Sequence, residues 1–104
     1  MRKLHHFGVP TSIPREGEMY SADMRLFLTD PTTSQNKIEY LRFEPESTMP
    51  EILKTHAHIA YEIEDFEQEM AGKKVIMEIT KLSDTQSIAF VEEEGLAIEL
   101  IKFY

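Results

Sequence analysis

Two six-residue segments, one in each half of the chain, follow the same pattern. Residues 38–43 and residues 98–103 both read Ile-Glu, two bulky residues, a cation and Phe. A second repeated segment precedes each copy, because residues 6–9 and residues 58–61 both read His, apolar, small and bulky. The two histidines are 52 residues apart and the two glutamates are 60 residues apart. The repetition predicts two similar halves, each contributing one His and one Glu.

The segments between these repeats predict a β-rich chain with short connections. Asp65 is typical of a helix N-cap and Gly72 of a helix end, which indicates one short helix between them. A further helical turn is expected at residues 49–54. Alternating apolar residues and turn signals indicate strands at residues 4–9, 24–29, 37–43, 56–63, 75–79, 87–91 and 96–103. These elements predict an α+β fold.

The first half lacks the sequence of a long helix after its opening strand. Pro14 and Gly17 interrupt residues 11–22, so we expect mostly loop there. The 104 residues are expected to form a single domain, with a first module at about residues 1–50 and a second at about residues 54–104.

Composition excludes several classes of function. The chain has no Cys, so a metal site must use His and carboxylate ligands. A net charge of −8 argues against binding to nucleic acid. The N-terminus lacks the apolar run of a secretory signal, and no window is long and apolar enough to cross a bilayer. We therefore expect a cytoplasmic location and no membrane partner.

His6, Glu39, His58 and Glu99 are the candidate metal ligands. Glu39 and Glu99 interrupt apolar strands, and burial of a carboxylate is costly unless it is paired or metal-bound. Nitrogen and carboxylate ligands suit Zn, Ni, Fe(II), Co or Mn, and open coordination positions would make the metal catalytic. Each residue alone has a plainer interpretation, as a half-buried His or a solvent-facing Glu, and gene duplication would repeat them without a metal.

Other polar residues carry weaker expectations. His5 is expected to be packed or exposed. His56 shares the predicted strand face of His58, so it is either a neighbour that supports the ligands or an alternative ligand. Residues 92–94, three consecutive glutamates, are expected to form a solvated turn.

The repeated segments resemble the vicinal oxygen chelate superfamily, which includes glyoxalases, bleomycin-resistance proteins and extradiol dioxygenases. Residues 6–9 resemble the opening strand of the family, and residues 58–65 resemble the opening of its second module. Residues 37–41 and 95–100 are similar to the two closing strands. The resemblance implies two βαβββ-type modules that form a cupped mixed sheet around a divalent metal. In this chain the first helix would be shortened or missing.

The resemblance also implies a function. Its metal ligands would be His6, Glu39, His58 and Glu99. Glu99 would take a proton alpha to a carbonyl, and Glu39 would be the second ligand or an opposing base. We therefore expect a metal-dependent lyase or isomerase that acts on a small oxygenated metabolite. Members of the superfamily are commonly dimers, with sites built from one chain or from two, so the resemblance also implies a homodimer.

Two other functions fit the same resemblance. A metal-free protein could bind or sequester a small molecule, as drug-resistance members do. Alternatively, His6, His58 and Glu99 could form the two-His-one-carboxylate triad of an extradiol-type dioxygenase that uses Fe(II) or Mn(II).

Overall fold

The computed structural model describes residues 1–104 and has an α+β fold, as the sequence predicts. Its internal contacts divide the chain into two compact units. Residues 6–57 form one unit, called here the N-terminal module. Residues 1–5 and 58–104 form the other, called here the C-terminal module. The expectation of a single domain stays a prediction.

The N-terminal module is a four-stranded mixed sheet. Its strands are β1 (Lys3–Pro10), β2 (Met19–Ser21), β3 (Leu26–Leu28) and β4 (Ile38–Phe43), in the spatial order β2-β3-β4-β1. Strands β1 and β4 are parallel, whereas β3 is antiparallel to both β2 and β4. A 3₁₀ turn at Pro31–Thr33 precedes β4, and helix α1 (Glu51–Thr55) follows it.

The C-terminal module is also a four-stranded mixed sheet. It contains β5 (His58–Glu62), helix α2 (Phe66–Met70), β6 (Lys74–Ser83), β7 (Gln86–Glu93) and β8 (Leu96–Phe103), with the strands in the order β5-β8-β7-β6. Strands β5 and β8 are parallel, and the other neighbours are antiparallel. Glu94 and Gly95 join β7 to β8 and both have positive φ, at 55° and 83°, as a tight two-residue hairpin requires.

The strand registers of the two modules show the same repeat as the sequence. In each module the strand that carries the repeated His segment lies parallel to the strand that carries the repeated Glu. Gly8 lies opposite Glu39 in one pair, and Ala60 lies opposite Glu99 in the other. The flanking partners correspond as well, because Phe7 is opposite Ile38 and Ile59 is opposite Ile98.

Helix α2 covers one face of the C-terminal sheet. Asp65 caps it by accepting a hydrogen bond from the Gln68 backbone N–H. Its first residue, Phe66, lies in a buried apolar cluster with Ile98 and Leu100 of β8, and Met70 packs against that cluster. The apolar stripe of this short helix therefore closes the core of the module.

The N-terminal module has no helix between β1 and β2, so the predicted shortening or loss of the first helix is confirmed.

Two details differ from the sequence prediction. Met19–Ser21 forms β2 inside the stretch that was expected to be loop, because β3 supplies its hydrogen-bonding partners. The predicted strand at residues 56–63 begins only at His58, since His56 caps the C-terminus of α1. None of the helices is long and apolar enough to span a membrane.

Candidate metal centre

The N-terminal module brings His6 and Glu39 together. Because Gly8 lies opposite Glu39, and side chains two apart on a strand share a face, His6 projects on the same face as Glu39. His6 Nε2 lies 3.3 Å from Glu39 Oε1. His6 is 4% exposed and Glu39 is half-buried, so this pair is largely removed from solvent.

The C-terminal module builds the same pair from His58 and Glu99. His58 Nε2 lies 3.1 Å from Glu99 Oε1, and both side chains are buried. An ionised carboxylate can only accept, so the imidazole N–H donates to Glu99 in this arrangement. The His58 ring packs edge-on against Phe90, with the ring centroids 5.4 Å apart, which fixes its orientation.

Both pairs have the donor chemistry and the spacing that a divalent metal ion uses. Bonds from a metal to a His nitrogen and to a carboxylate oxygen are each about 2.1 Å long, so two such ligands at a right angle lie roughly 3 Å apart. The observed separations of 3.3 Å and 3.1 Å are close to that value. The spacing of the two donor atoms in each pair is therefore compatible with coordination of a divalent ion.

Small residues stand beside both carboxylates. Gly8 and Ala60 occupy the strand positions opposite Glu39 and Glu99, and both are buried. A larger side chain at either position would project on the same face as the carboxylate. Each His–Glu pair therefore has a small residue as its neighbour on that face.

The other two histidines have different surroundings. The His5 ring contacts the Phe103 ring, with centroids 5.6 Å apart, so it is packed as the sequence suggests. His56 is exposed, and its Nδ1 lies 2.8 Å from Thr55 Oγ1. The prediction that His56 shares a strand face with His58 is wrong, because β5 starts after it.

Sequence reasoning missed an ion-pair network around Arg2. The Arg2 guanidinium donates two hydrogen bonds to Glu93, at 2.8 Å and 2.7 Å, and its Nε donates one to Glu69 at 2.7 Å. Lys73 Nζ lies 3.0 Å from Glu93. The hydrogen bonds from Arg2 and Lys73 lower the pKa of Glu93 to about 2. The expectation of a solvated turn at residues 92–94 is therefore wrong for Glu93.

No signal in the sequence could have found this network, since Arg2 and Glu93 are 91 residues apart. Arg2 also lies over the Tyr61 ring, with its guanidinium carbon 5.3 Å from the ring centroid. It thus ties the start of the chain to β5, α2 and β7 of the C-terminal module.

No protein-family model and no curated protein sequence matches the chain. Solved structures do match the chain. The hypothetical protein BH1468 from Bacillus halodurans C-125 is 16% identical with a TM-score of 0.64, covering 99% of this chain and 95% of that one. The methylmalonyl-CoA epimerase from Mycobacterium tuberculosis is 15% identical with a TM-score of 0.63, covering 97% of this chain and 87% of that one. The chain has the vicinal oxygen chelate fold.

This is the fold that the resemblance of the repeated segments implies, so the predicted fold is confirmed. At 15–16% identity the two structures establish the fold alone. The chemistry of this chain has to be argued from its own His–Glu pairs.

Proposed function

We propose that the protein is a metal-dependent isomerase or lyase, and that His6, Glu39, His58 and Glu99 bind one divalent metal ion. The observation that carries the proposal is the repeated pair: each module holds a buried His beside a Glu, at the same register of two parallel strands. Buried carboxylates are retained at a cost in stability, and coordination of a metal would offset that cost.

The donor set favours particular metals. Two imidazole nitrogens and two carboxylate oxygens suit Zn, Ni, Fe(II), Co or Mn, whereas Ca²⁺ and Mg²⁺ prefer sites built from oxygen ligands alone. An ion held by these four residues would have coordination positions left for the oxygen atoms of a substrate. This arrangement is the reason to prefer an enzyme over a purely structural metal site.

The chemistry would be a proton transfer alpha to a carbonyl. A bound divalent metal supplies Lewis-acid polarisation of the carbonyl oxygen, which acidifies the adjacent C–H bond. The Glu99 carboxylate would take the proton from that carbon. Glu39, on the other module, would either serve as a ligand only or return a proton to the opposite side of the carbon, which inverts its configuration.

One of the two solved structures supports a substrate class for the first trials. The Mycobacterium tuberculosis protein is a methylmalonyl-CoA epimerase, and epimerisation of such a thioester is a proton exchange alpha to its carbonyl. Epimerisable acyl-CoA thioesters are therefore the first substrates to test, followed by hemiacetals of a thiol with a 2-oxoaldehyde.

The first test of the proposal is metal stoichiometry. Untagged protein would be stripped, reloaded separately with Zn, Ni, Co, Mn and Fe(II), and analysed for bound metal. One equivalent per chain supports a shared ion. Two equivalents would mean that each His–Glu pair binds its own ion, and none after every reloading would overturn the metal site in favour of a metal-free binding protein.

The second test is proton exchange at the substrate. Loaded protein would be incubated with methylmalonyl-CoA in D₂O, and deuterium at the alpha carbon followed by mass spectrometry. Glu99→Gln should slow exchange by about 10²-fold or more, the usual range for loss of a general base. Exchange at the wild-type rate in this variant would remove Glu99 from the catalytic role. Oxygen consumption with a catechol would instead indicate the dioxygenase.

A further inference from the structure

The N-terminal module contains a pocket between the ends of β1 and β4 and helix α1, called here the α1 pocket. Its volume is about 600 Å³, which lies within the range of pockets that bind small molecules. All the side chains that line it belong to residues 10–55, so the α1 pocket is built within this one module. Neither the His–Glu pairs nor the ion pairs described above use it.

The α1 pocket lies on the same face of the sheet as the His6–Glu39 pair. Pro10 is four residues after His6 on β1, and Phe43 is four residues after Glu39 on β4. Because alternate residues of a strand share a face, Pro10 and Phe43 project on the side of the His–Glu pair. Four residues of a strand span roughly 13 Å. A ligand that reacts at the pair and extends by that distance along the strands would therefore end in the α1 pocket.

The lining of the α1 pocket combines an apolar surface with free hydrogen-bonding groups. Pro10, Phe43 and Pro45 supply the apolar surface. The Ser12 hydroxyl and the Glu51 carboxylate are exposed and have no hydrogen-bonding partner within the chain. A hydroxyl group can donate and accept, whereas a carboxylate accepts, so a ligand with N–H and O–H groups can bond to both.

The charges of the α1 pocket do not favour an anion. Three charged side chains line it, and they are Glu44, Glu51 and Lys54. Lys54 Nζ already donates to the Ser47 carbonyl oxygen, which leaves two of its N–H groups for a ligand carbonyl. Two carboxylates and one ammonium give no excess of positive charge, and the whole chain has a net charge of −8. A phosphate or carboxylate group would therefore gain little in this pocket.

We propose that the α1 pocket binds the far end of the pantetheine arm of an acyl-CoA thioester whose carbonyl lies at the His6–Glu39 pair. This inference rests on the proposed function and narrows its substrate class. The arm is uncharged and carries two amides, a hydroxyl group and two geminal methyl groups. Its amides and hydroxyl match the free polar groups of the pocket, and its methyl groups match the surface of Pro10 and Phe43. An anionic thiol adduct would match this lining less well.

The length of the arm agrees with the distance between the His–Glu pair and the α1 pocket. Between its sulfur and its terminal oxygen the arm has about as many bonds as four residues of an extended chain, so it spans roughly 14 Å. N-acetylcysteamine is the same arm cut after the first amide, and it spans roughly half of that distance. A thioester of N-acetylcysteamine can thus reach the His–Glu pair but not the α1 pocket at the same time.

The first test is binding without chemistry, which does not depend on turnover. Metal-free protein would be titrated with S-acetylpantetheine and with S-acetyl-N-acetylcysteamine, and binding followed by NMR. The truncated compound should have a dissociation constant at least about ten-fold higher, the effect of losing 1.4 kcal/mol. Ser12→Trp places a large side chain in the pocket and should weaken binding of S-acetylpantetheine by a similar factor. Gln35→Trp is the matched control, because Gln35 is exposed before β4, at the opposite end of that strand from Phe43.

The second test is deuterium exchange by loaded wild-type protein with the methylmalonyl thioesters of the same two thiols. Truncation of the arm should lower kcat/KM at least about ten-fold, because binding energy from the remote part of the substrate is lost. This comparison needs no variant, so it decides the matter if Ser12→Trp fails to fold.

The outcomes separate this proposal from the proposed function. Equal dissociation constants for the two probes, equal kcat/KM for the two thioesters, or unweakened binding in Ser12→Trp would overturn the role of the α1 pocket even if exchange occurs. Weaker binding in Gln35→Trp would overturn it as well. Binding of S-acetylpantetheine that is lost in Ser12→Trp, with no exchange of either thioester, would support the pocket and overturn the proposed isomerase chemistry.

Discussion

His58 Nε2 lies 3.1 Å from Glu99 Oε1 across two parallel strands, and Glu99 is two register positions further along than His58. The parallel register is what makes this contact, since it places Ala60 opposite Glu99 and leaves His58 diagonal to it on the same face. The same register recurs at His6 and Glu39. The repeated sequence segments therefore form the same pair of His and Glu side chains in both modules.

We expect His58→Ala to abolish stoichiometric metal binding while the protein stays folded. The substitution removes one of the two nitrogen donors of the proposed four-ligand set, and the three remaining ligands should hold a transition metal much less tightly. Elemental analysis and far-ultraviolet circular dichroism measure the two effects. His56→Ala is the control, because His56 is exposed at the end of α1 and should be dispensable for binding. Full metal occupancy in His58→Ala would contradict the ligand assignment.

We expect Ala60→Leu to weaken metal binding and to destabilise the C-terminal module. Ala60 is 0% exposed and lies opposite Glu99, so three added carbon atoms must displace neighbouring side chains. Overpacking of this kind costs about 1–3 kcal/mol in the free energy of unfolding. Urea unfolding measures the stability, and competition with a coloured chelator measures the metal affinity. Unchanged metal affinity in a destabilised variant would show that Ala60 serves packing alone.

Two isoleucines test whether the corresponding sheet faces of the two modules are buried to different extents. Ile98 and Ile38 hold equivalent register positions, but Ile98 is buried under α2 and Ile38 is half-exposed. Ile98→Ala should lower the free energy of unfolding by about 3–4 kcal/mol, within the usual range for a core Ile. Ile38→Ala should cost about 1 kcal/mol, since it removes less buried area. Urea unfolding measures both; equal losses would mean that Ile38 is as well packed in solution as Ile98.

The sequence predicted the parts of the fold that depend on local or repeated patterns of residues. Three of these features follow from residues that are close to one another in the chain: the strands with alternating side chains around Glu39 and Glu99, the Asp65 cap and the missing first helix. The short strand Met19–Ser21 was not predicted, because three residues carry too little alternation and depend on pairing with β3.

The repeated segments indicated the four candidate ligands, but not which His lies beside which Glu. The pairing of His6 with Glu39 and of His58 with Glu99 follows from the parallel register of the strands, which the sequence analysis did not predict. The network of Arg2 with Glu93 does not follow from any local pattern, because it joins residues at opposite ends of the chain. Such contacts depend on tertiary packing, which a periodicity of apolar residues does not specify.

The stability of the protein should depend on pH through Arg2 and Glu93. The pKa of Glu93 is lowered from 4.5 to about 2, with the hydrogen bond from Arg2 as the largest cause. A carboxylate with a lowered pKa stabilises the folded state fully above its ordinary pKa, and this contribution is lost as pH falls from about 4.5 towards 2. Arg2→Met should therefore be less stable than the wild type by about 2 kcal/mol at pH 7, the order expected for hydrogen bonds to charged groups.

The difference between the wild type and Arg2→Met should be constant above about pH 5 and should shrink as the pH falls towards 2, because protonated Glu93 no longer pairs with Arg2. Urea unfolding of metal-free protein across this range measures it. Lys74→Met is the control: Lys74 Nζ lies 3.5 Å from Glu92 Oε1, but the Lys74 side chain is 76% exposed, so its loss should have little effect at any pH. A pH-independent loss in Arg2→Met would mean that Arg2 stabilises the module through packing on Tyr61 and not through the charge of Glu93.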